Sequence, residues 1–356
     1  MTSARVVTWA AVVALAAMLL AGGAVQADIT IETVPVGNTG NTGELSGPGA
    51  GGYGTDRICG AVDYEYNIGK YEVTAGQYCE FLNKVAKTDA YGLYSTYMAD
   101  LTNYHGCNIQ RSGSSGSYTY SVASDWANRP VNYVSWGNAA RFTNWLHNGQ
   151  PTGDQGLTTT EDGAYFLNGA TSDAALMAVT READAKWAIT SEDEWYKAAY
   201  HKNDGVTGHY FDYPTGSDSV PSSVLGNPTD PGNNATFYGD SGMTIGSPYF
   251  RTEAGDHENS DSPYGTFDQG GNVWEWTEAV IGTSFGTGRG MRGGSFNDVG
   301  GSGYSGYFLL AALRSSNGPT NELDYMGFRV SEVPEPASAL LLGIGGVGVA
   351  LRRKRR

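Results

Sequence analysis

The chain has 356 residues, of which 51 are Gly and 13 are Pro, a composition that favours turns over long regular elements. With 40% hydrophobic and 17% charged residues and no three-residue Gly period, it is neither a disordered polyelectrolyte, nor a coiled coil, nor a collagen. The net charge of −15 understates the acidity of the body. Arg5, Arg352, Arg353, Lys354, Arg355 and Arg356 lie in the terminal segments with one acid, Glu335, which leaves 16 bases against 36 acids, or −20. A body this acidic repels phosphate backbones and anionic lipid surfaces, which excludes nucleic acid as a partner.

Residues 1–27 read as a secretory signal peptide. Arg5 precedes an apolar run from Val6 to Leu20, small residues follow, and Val25 and Ala27 stand at positions −3 and −1 of a cleavage before Asp28. The alternative is an uncleaved membrane anchor. Ile29–Val36 is β-branched and predicts a first strand, and residues 37–55 predict a Gly-rich loop. Thr74 can cap a helix over Ala75–Ala86, whose Tyr78, Phe81, Leu82 and Val85 fall on one face. Ser135 can cap a second helix with the stripe Ala139, Phe142, Trp145 and Leu146. A third follows Ile189, where Ser191 and Glu194 form a capping box and Trp195, Ala198 and Ala199 supply the buried face. Glu192, Asp193 and Glu194 there suit the positive end of a helix dipole. Short β-rich runs such as Tyr64–Ile68 and Gly327–Val330 alternate with Gly, Asn, Asp and Pro. The pattern is α+β, with short helices around irregular sheet.

Three cysteines, Cys59, Cys79 and Cys107, include no C-x-x-C pair, so a zinc ribbon or thioredoxin-like site is unsupported. Either one disulfide forms and one thiol is left over, or all three are small buried hydrophobes. At the far end, Val333-Pro334-Glu335-Pro336 precedes fifteen uncharged residues, 337–351, and then five bases. At 1.5 Å per residue that stretch spans about 22 Å, short of the roughly 30 Å hydrocarbon core. The bases would stay on the cytoplasmic side. This order of motif, apolar stretch and basic tail resembles the PEP-CTERM sorting signal of bacteria with an outer membrane. The resemblance implies recognition and removal of the tail by an exosortase.

Several segments stand in a fixed order between the two ends. They are Tyr71–Tyr78, Arg129–Trp136, Ile189–Trp195, Tyr264–Trp276 with its Gly-Asn-Val-Trp-Glu-Trp run, Met291–Phe296, Arg314, and Gly327-Phe328-Arg329. Together they resemble the formylglycine-generating enzyme family, also called the sulfatase-modifying factor domain, over residues 29–331. The resemblance implies a single irregular domain with a C-type-lectin-like core and little regular secondary structure, followed by the sorting segment at 333–356.

Asp268–Glu275 has two carboxylates bracketing a Gly270-Gly271 turn, a set of hard oxygens that suits calcium. The family's calcium site maps onto the side chains of Asp268 and Glu275 and the carbonyls of Gln269, Gly271 and Val273. The alternative is that Glu275 pairs with a base such as Arg292. A second family calcium site would fall near Asn233, Asn234 and Asp240. Family members that oxidise a cysteine to formylglycine bind copper(I) through two cysteines after the Arg-Gly-Gly-Ser motif, and copper(I) needs soft thiolates. The corresponding stretch, Asn297–Leu310, contains no cysteine, so copper and the oxidase chemistry are not expected. His105, His147, His201, His209 and His257 show no close zinc-ligand spacing. Only His201 and His209, beside Asp204 and Asp212, suggest an iron triad, and exposed loop histidines are the preferred account.

What the resemblance leaves is binding. The family's substrate face maps onto Arg292, Ser295, Asn297, Tyr304, Tyr307 and Arg314. Aromatics there, with Phe308 and with Trp274 and Trp276 if they are not core, suit a peptide or glycan ligand. The sequence therefore predicts an exported, non-oxidase protein of the cell envelope, outer surface or matrix. Signal peptidase and exosortase are its processing partners, and the membrane is met only through the terminal segments. The alternative is a sulfatase-activating oxidase, or a cysteine-independent relative acting on a peptide.

Overall fold

The computed structural model describes residues 28–225, 232–283, 286–298 and 305–333. Strands β1 (Thr33–Val36), β2 (Tyr66–Gly69), β3 (Trp187–Ile189) and β8 (Val330–Glu332) form one antiparallel sheet in the order β1-β2-β8-β3. A second sheet holds β4 (Trp274–Thr283), β5 (Gly286–Arg292), β6 (Ser315–Asn317) and β7 (Met326–Gly327) in the order β6-β5-β4-β7. Within it β4 and β7 run parallel, and Glu275 sits opposite Arg292 across β4 and β5. Strands this short, joined by long loops, make one α+β domain of low regular secondary structure. The sequence signals overshoot by a few residues at β1 and merge β7 with β8, because β-rich composition does not mark where pairing stops. Residues 37–55 are not all loop. Glu44–Ser46 pairs with Arg57–Cys59 in a small hairpin.

The three helices start where their caps predict. Helix α1 (Ala75–Val85) has a full capping box, with Gln77 N–H donating to Thr74 Oγ1 and Thr74 N–H donating to Gln77 Oε1. Its Tyr78, Phe81, Leu82 and Val85 are buried. Phe81 and Tyr78 pack on Phe142 of α2 (Trp136–His147) with ring centroids 5.3 and 6.0 Å apart. Helix α2 is buried on every side and not only along its predicted stripe. The reason lies in the chain that follows: Glu161 takes Arg141 at 2.7 and 3.0 Å, and Asn144 donates to the carbonyls of Thr160 and Tyr165. Helix α3 (Glu192–Tyr200) carries the Ser191–Glu194 capping box.

The acids at the start of α3 do far more than complement a dipole. Glu192 is 2% exposed, and its Oε1 accepts from Arg292 at 2.7 Å and Arg314 at 2.8 Å. Its Oε2 accepts from Arg314 at 2.7 Å and Arg57 at 3.2 Å. Burial alone would push the Glu192 carboxyl up, but the three guanidiniums outweigh it and hold the group at about 2. Glu194 likewise binds Arg181 through both oxygens. A buried carboxylate shared by the buried Arg292 and Arg314 is costly to break, because those two charges lose the acid that compensates them. Glu192→Gln is therefore expected to destabilise the domain by about 3–5 kcal/mol, read as a lower urea midpoint at unchanged slope. Arg57→Ala, at a side chain 41% exposed, should cost about 1 kcal/mol or less. Equal costs for the two variants would contradict this account.

Candidate functional site

Strand β5 ends at Arg292, and the next two glycines turn the chain sharply, with φ of +97° at Gly293 and +71° at Gly294. A Cβ on Gly293 would lie 2.6 Å from the Gln269 carbonyl oxygen, so only glycine lets the two loops approach. Gly271 N–H donates to Gly293 O at 2.9 Å and Phe296 N–H to Asn272 O at 3.0 Å. These bonds lock the loop after β5 onto the Asp268–Val273 turn.

Beyond the glycines a chain of polar side chains runs to the surface. Ser295 Oγ, fully buried, lies 2.8 Å from Asp298 Oδ2 and 3.0 Å from Asn297 Oδ1. Asn297 Nδ2 donates to Asp324 Oδ2 at 3.4 Å, and the same oxygen lies 3.0 Å from His105 Nδ1. Asn132 Nδ2 donates to the carbonyls of both His105 and Asp324, and Arg251 donates to the His105 carbonyl from the other side. That grip holds His105 at a φ of +50°, a region a non-glycine residue enters only when its surroundings enforce it. Burial pushes the Asp298 carboxyl up to about 6 against hydrogen bonds from Ser295 and Trp274. The arrangement offers a carboxyl able to exchange a proton near neutrality at its inner end, and a His–Asp pair at its outer, half-buried end.

The predicted site residues divide. Ser295 and Asn297 belong to this chain. Arg292 and Arg314 do not face a ligand: both are buried and bound to Glu192, a correction that follows from the sign of their neighbour. Tyr307 is half-buried with its ring 5.6 Å from Phe308, and Tyr304 lies outside the described residues. Trp274 and Trp276 are core. His105, Asn132, Asp298 and Asp324 are the members the sequence reading missed. Asp298 lies three positions past Ser295, but Asn132 stands 192 positions before Asp324, so no local spacing announces the other three.

In the calcium set both carboxylates are engaged by protein groups. Both Glu275 oxygens accept from Arg329, at 2.6 and 2.7 Å, and Oε2 also accepts from Trp195 Nε1 at 2.7 Å. A carboxylate neutralised by a guanidinium and an indole is not a free metal ligand. The base that pairs with Glu275 is Arg329 and not Arg292, even though the strand register sets Arg292 opposite. Asp268 Oδ2 accepts from Gly255 N–H at 2.7 Å, and its carboxyl is pushed by burial up to about 6. Gln269 holds Thr266 and the Trp195 carbonyl through its side chain. Gly271 passes so close to Thr236 that a Cβ would meet its carbonyl oxygen at 2.1 Å, and Val273 is buried. At the second location Asp240 lines a cavity of about 390 Å³ with Val220, Ser222 and Ser305, and Asn234 N–H donates to Ser260. No group of three His, Cys, Asp or Glu side chains converges as a metal site among the described residues. His209 is exposed and bound to Asp204, whereas His201 is buried against Tyr264. Cys59, Cys79 and Cys107 are buried and unbridged.

The sequence profile of the sulfatase-modifying factor enzyme 1-like domain matches residues 60–333, and that of the PEP-CTERM protein-sorting motif matches residues 332–356. No curated protein matches the chain. Among solved structures, the chain is similar to variable protein 1 of Treponema denticola at 17% identity, covering 88% of this chain and all of that one, with a TM-score of 0.49. It is also similar to CarF, at 18% identity over 86% of this chain and 99% of that one, TM-score 0.48. PvdO from Pseudomonas aeruginosa matches at 17% identity over 78% of this chain and 84% of that one, TM-score 0.39.

Asp298 supplies a test of this geometry. Its folded pKa of about 6 lies above the roughly 3.9 of an unfolded chain. Its contribution to stability is therefore complete below the unfolded value and lost as pH rises through 6. Asp298→Asn should remove that loss, so that wild type falls relative to the variant by up to about 3 kcal/mol between pH 4 and 7. Glu322, pushed by burial up to about 7, titrates in both proteins and cancels. Thermal unfolding at half-unit pH steps checks it, and parallel profiles would exclude Asp298 as the titrating group.

Proposed function

The chain belongs to the sulfatase-modifying factor enzyme 1-like domain family and ends in a PEP-CTERM sorting motif, and from that premise we propose an exported, exosortase-sorted surface protein whose domain binds a ligand without oxidising it. The observation that carries this reading is the set of atoms around Ser295. Its hydroxyl is bonded to Asn297 and Asp298, hard oxygens that suit neither copper(I) nor thiol exchange. The loop from Asn297 to Leu310 offers no thiol, and the three cysteines are buried elsewhere without bridging one another. Cys59, although 3.3 Å from Arg292 Nη2, is enclosed by the Glu192 clamp.

In this reading residues 1–27 are the leader and the segment from Val333 is the sorting signal, so the mature domain is delivered to the cell envelope, outer surface or matrix. No helix of the described residues is long and apolar enough to cross a membrane, and residues 337–351 lie outside them. A second reading draws on Asp298, whose raised pKa beside a serine hydroxyl equips it for proton transfer on a bound peptide. Replacement of Asp298 by Asn would abolish turnover in that case and leave ligand binding intact.

Two measurements test the main reading. Purified protein should hold far less than one copper per chain and consume no oxygen with a cysteine-containing sulfatase peptide. Stoichiometric copper, or formylglycine detected in the peptide by mass spectrometry, would overturn it. Deleting residues 333–356 should move the protein from the envelope fraction into the medium; unchanged retention would remove the sorting step.

A further inference from the structure

Ten residues before Cys107, the chain forms a closed loop that carries aromatic rings outward. Gly106 N–H donates to Asp100 O and Asn108 N–H to Met98 O, both at 2.8 Å. A Cβ on Gly106 would lie 2.4 Å from the carbonyl oxygens of Tyr97 and Met98, so glycine is what lets the two limbs close. The closure brings Tyr97 and Tyr104 together with ring centroids 4.5 Å apart, while each remains 45% exposed. Tyr133 packs behind them, 5.5 Å from Tyr97, and its hydroxyl donates to the Tyr104 carbonyl. Tyr133 is itself held at a φ of +58°. An aromatic residue in that region is an outlier that its surroundings must enforce.

Two touching tyrosines left half in water forgo burial that most rings of this chain obtain. Next to them stands the outer end of the polar chain. His105 follows Tyr104 directly, its Nδ1 bonds Asp324, and Asn297 reaches the same carboxylate. Tyr133 N–H donates to Leu323 O, and Asn132 ties the His105 carbonyl to that of Asp324, so the loop that carries the rings is fastened to the segment that carries the acid, while the His105 imidazole rests on Phe250 and Phe296.

We infer that Tyr97 and Tyr104, with His105, Asn297 and Asp324, form a platform for a neutral oligosaccharide. A pyranose ring presents an apolar C–H face that stacks on tyrosine, and its edge carries hydroxyls that a carboxylate, an amide and an imidazole can bond. Uronic or sulfated chains are excluded by Asp324 and by the charge of −20 over the body. A cationic ligand would also find aromatic faces and a carboxylate here, and salt separates the two cases. This inference rests on the binding reading above and gives it a ligand class.

The test uses the full mature chain with soluble hexasaccharides of glucose, xylose, mannose and galactose, with tetramethylammonium and with the sulfatase peptide as controls, followed by calorimetry. At least one neutral hexasaccharide should bind, with an affinity unchanged between 50 and 500 mM NaCl, values chosen about the range where charge pairs are screened. Tyr97→Ala and Tyr104→Ala should each weaken it about tenfold, while Tyr97→Phe and Tyr104→Phe stay within about threefold, since stacking survives loss of the hydroxyl. Asp324→Asn should weaken it without altering the thermal midpoint by more than a few degrees. Binding of tetramethylammonium or the peptide with no hexasaccharide bound would overturn the glycan inference and leave the binding reading standing. Hexasaccharide binding that ignores the Ala variants would overturn the platform. Failure to bind any of these probes would count against both.

Discussion

Glu192 gathers three arginines that stand far apart in the sequence. It sits at the first turn of α3, and its two oxygens hold Arg292 at the end of β5, Arg314 just before β6, and Arg57 in the small hairpin. The hairpin around Arg57 pairs only within itself, so this shared charge ties it to the sheet that holds β5 and β6. The geometry suits arginine in particular, because a planar fork can bond a carboxylate and two backbone carbonyls at once. Arg292 does this, donating to the carbonyls of Ala311 and Leu313 as well as to Glu192.

The same device recurs across the fold. Arg329 binds Glu275 while donating to the carbonyls of Gly69 and Phe267. Arg141 binds Glu161, and Arg181 binds Glu194 and Glu278. Loops that would be too irregular to satisfy their own carbonyls find donors on buried guanidiniums. One consequence is directional. Because Arg292 and the paired glycines after it are fixed from behind, Ser295 and Asp298 are delivered to one place, and the polar chain to Asp324 and His105 follows.

Helices were legible because caps and stripes are local. Thr74 with Gln77, Ser135, and Ser191 with Glu194 each report a helix start within four residues, and each start is found in the structure. Ion pairs were not legible. Arg292 and Arg314 sit in motifs whose order marks the family, and from sequence their charge reads as readily for a ligand as for a buried acid. Glu275 shows the limit of register arguments: the strand opposite offers Arg292, yet the pair forms with Arg329, 54 positions away. The site was half legible. Ser295 and Asn297 lie next to a recognisable turn, but His105, Asn132 and Asp324 meet only through the folded chain.

This division separates what the family's motifs do from what the protein does. The arginines, the paired glycines and the buried tryptophans of those motifs hold backbone to backbone, and they serve the fold whatever chemistry follows. The residues free to change the chemistry are those just past Ser295 and those that reach it from distant loops. In this chain the first group supplies the oxygens of Asn297 and Asp298, and the second supplies a histidine and a carboxylate. Substitutions in these two groups leave the clamps intact, since none of them carries the charges that bind Glu192, Glu275, Glu161 or Glu194.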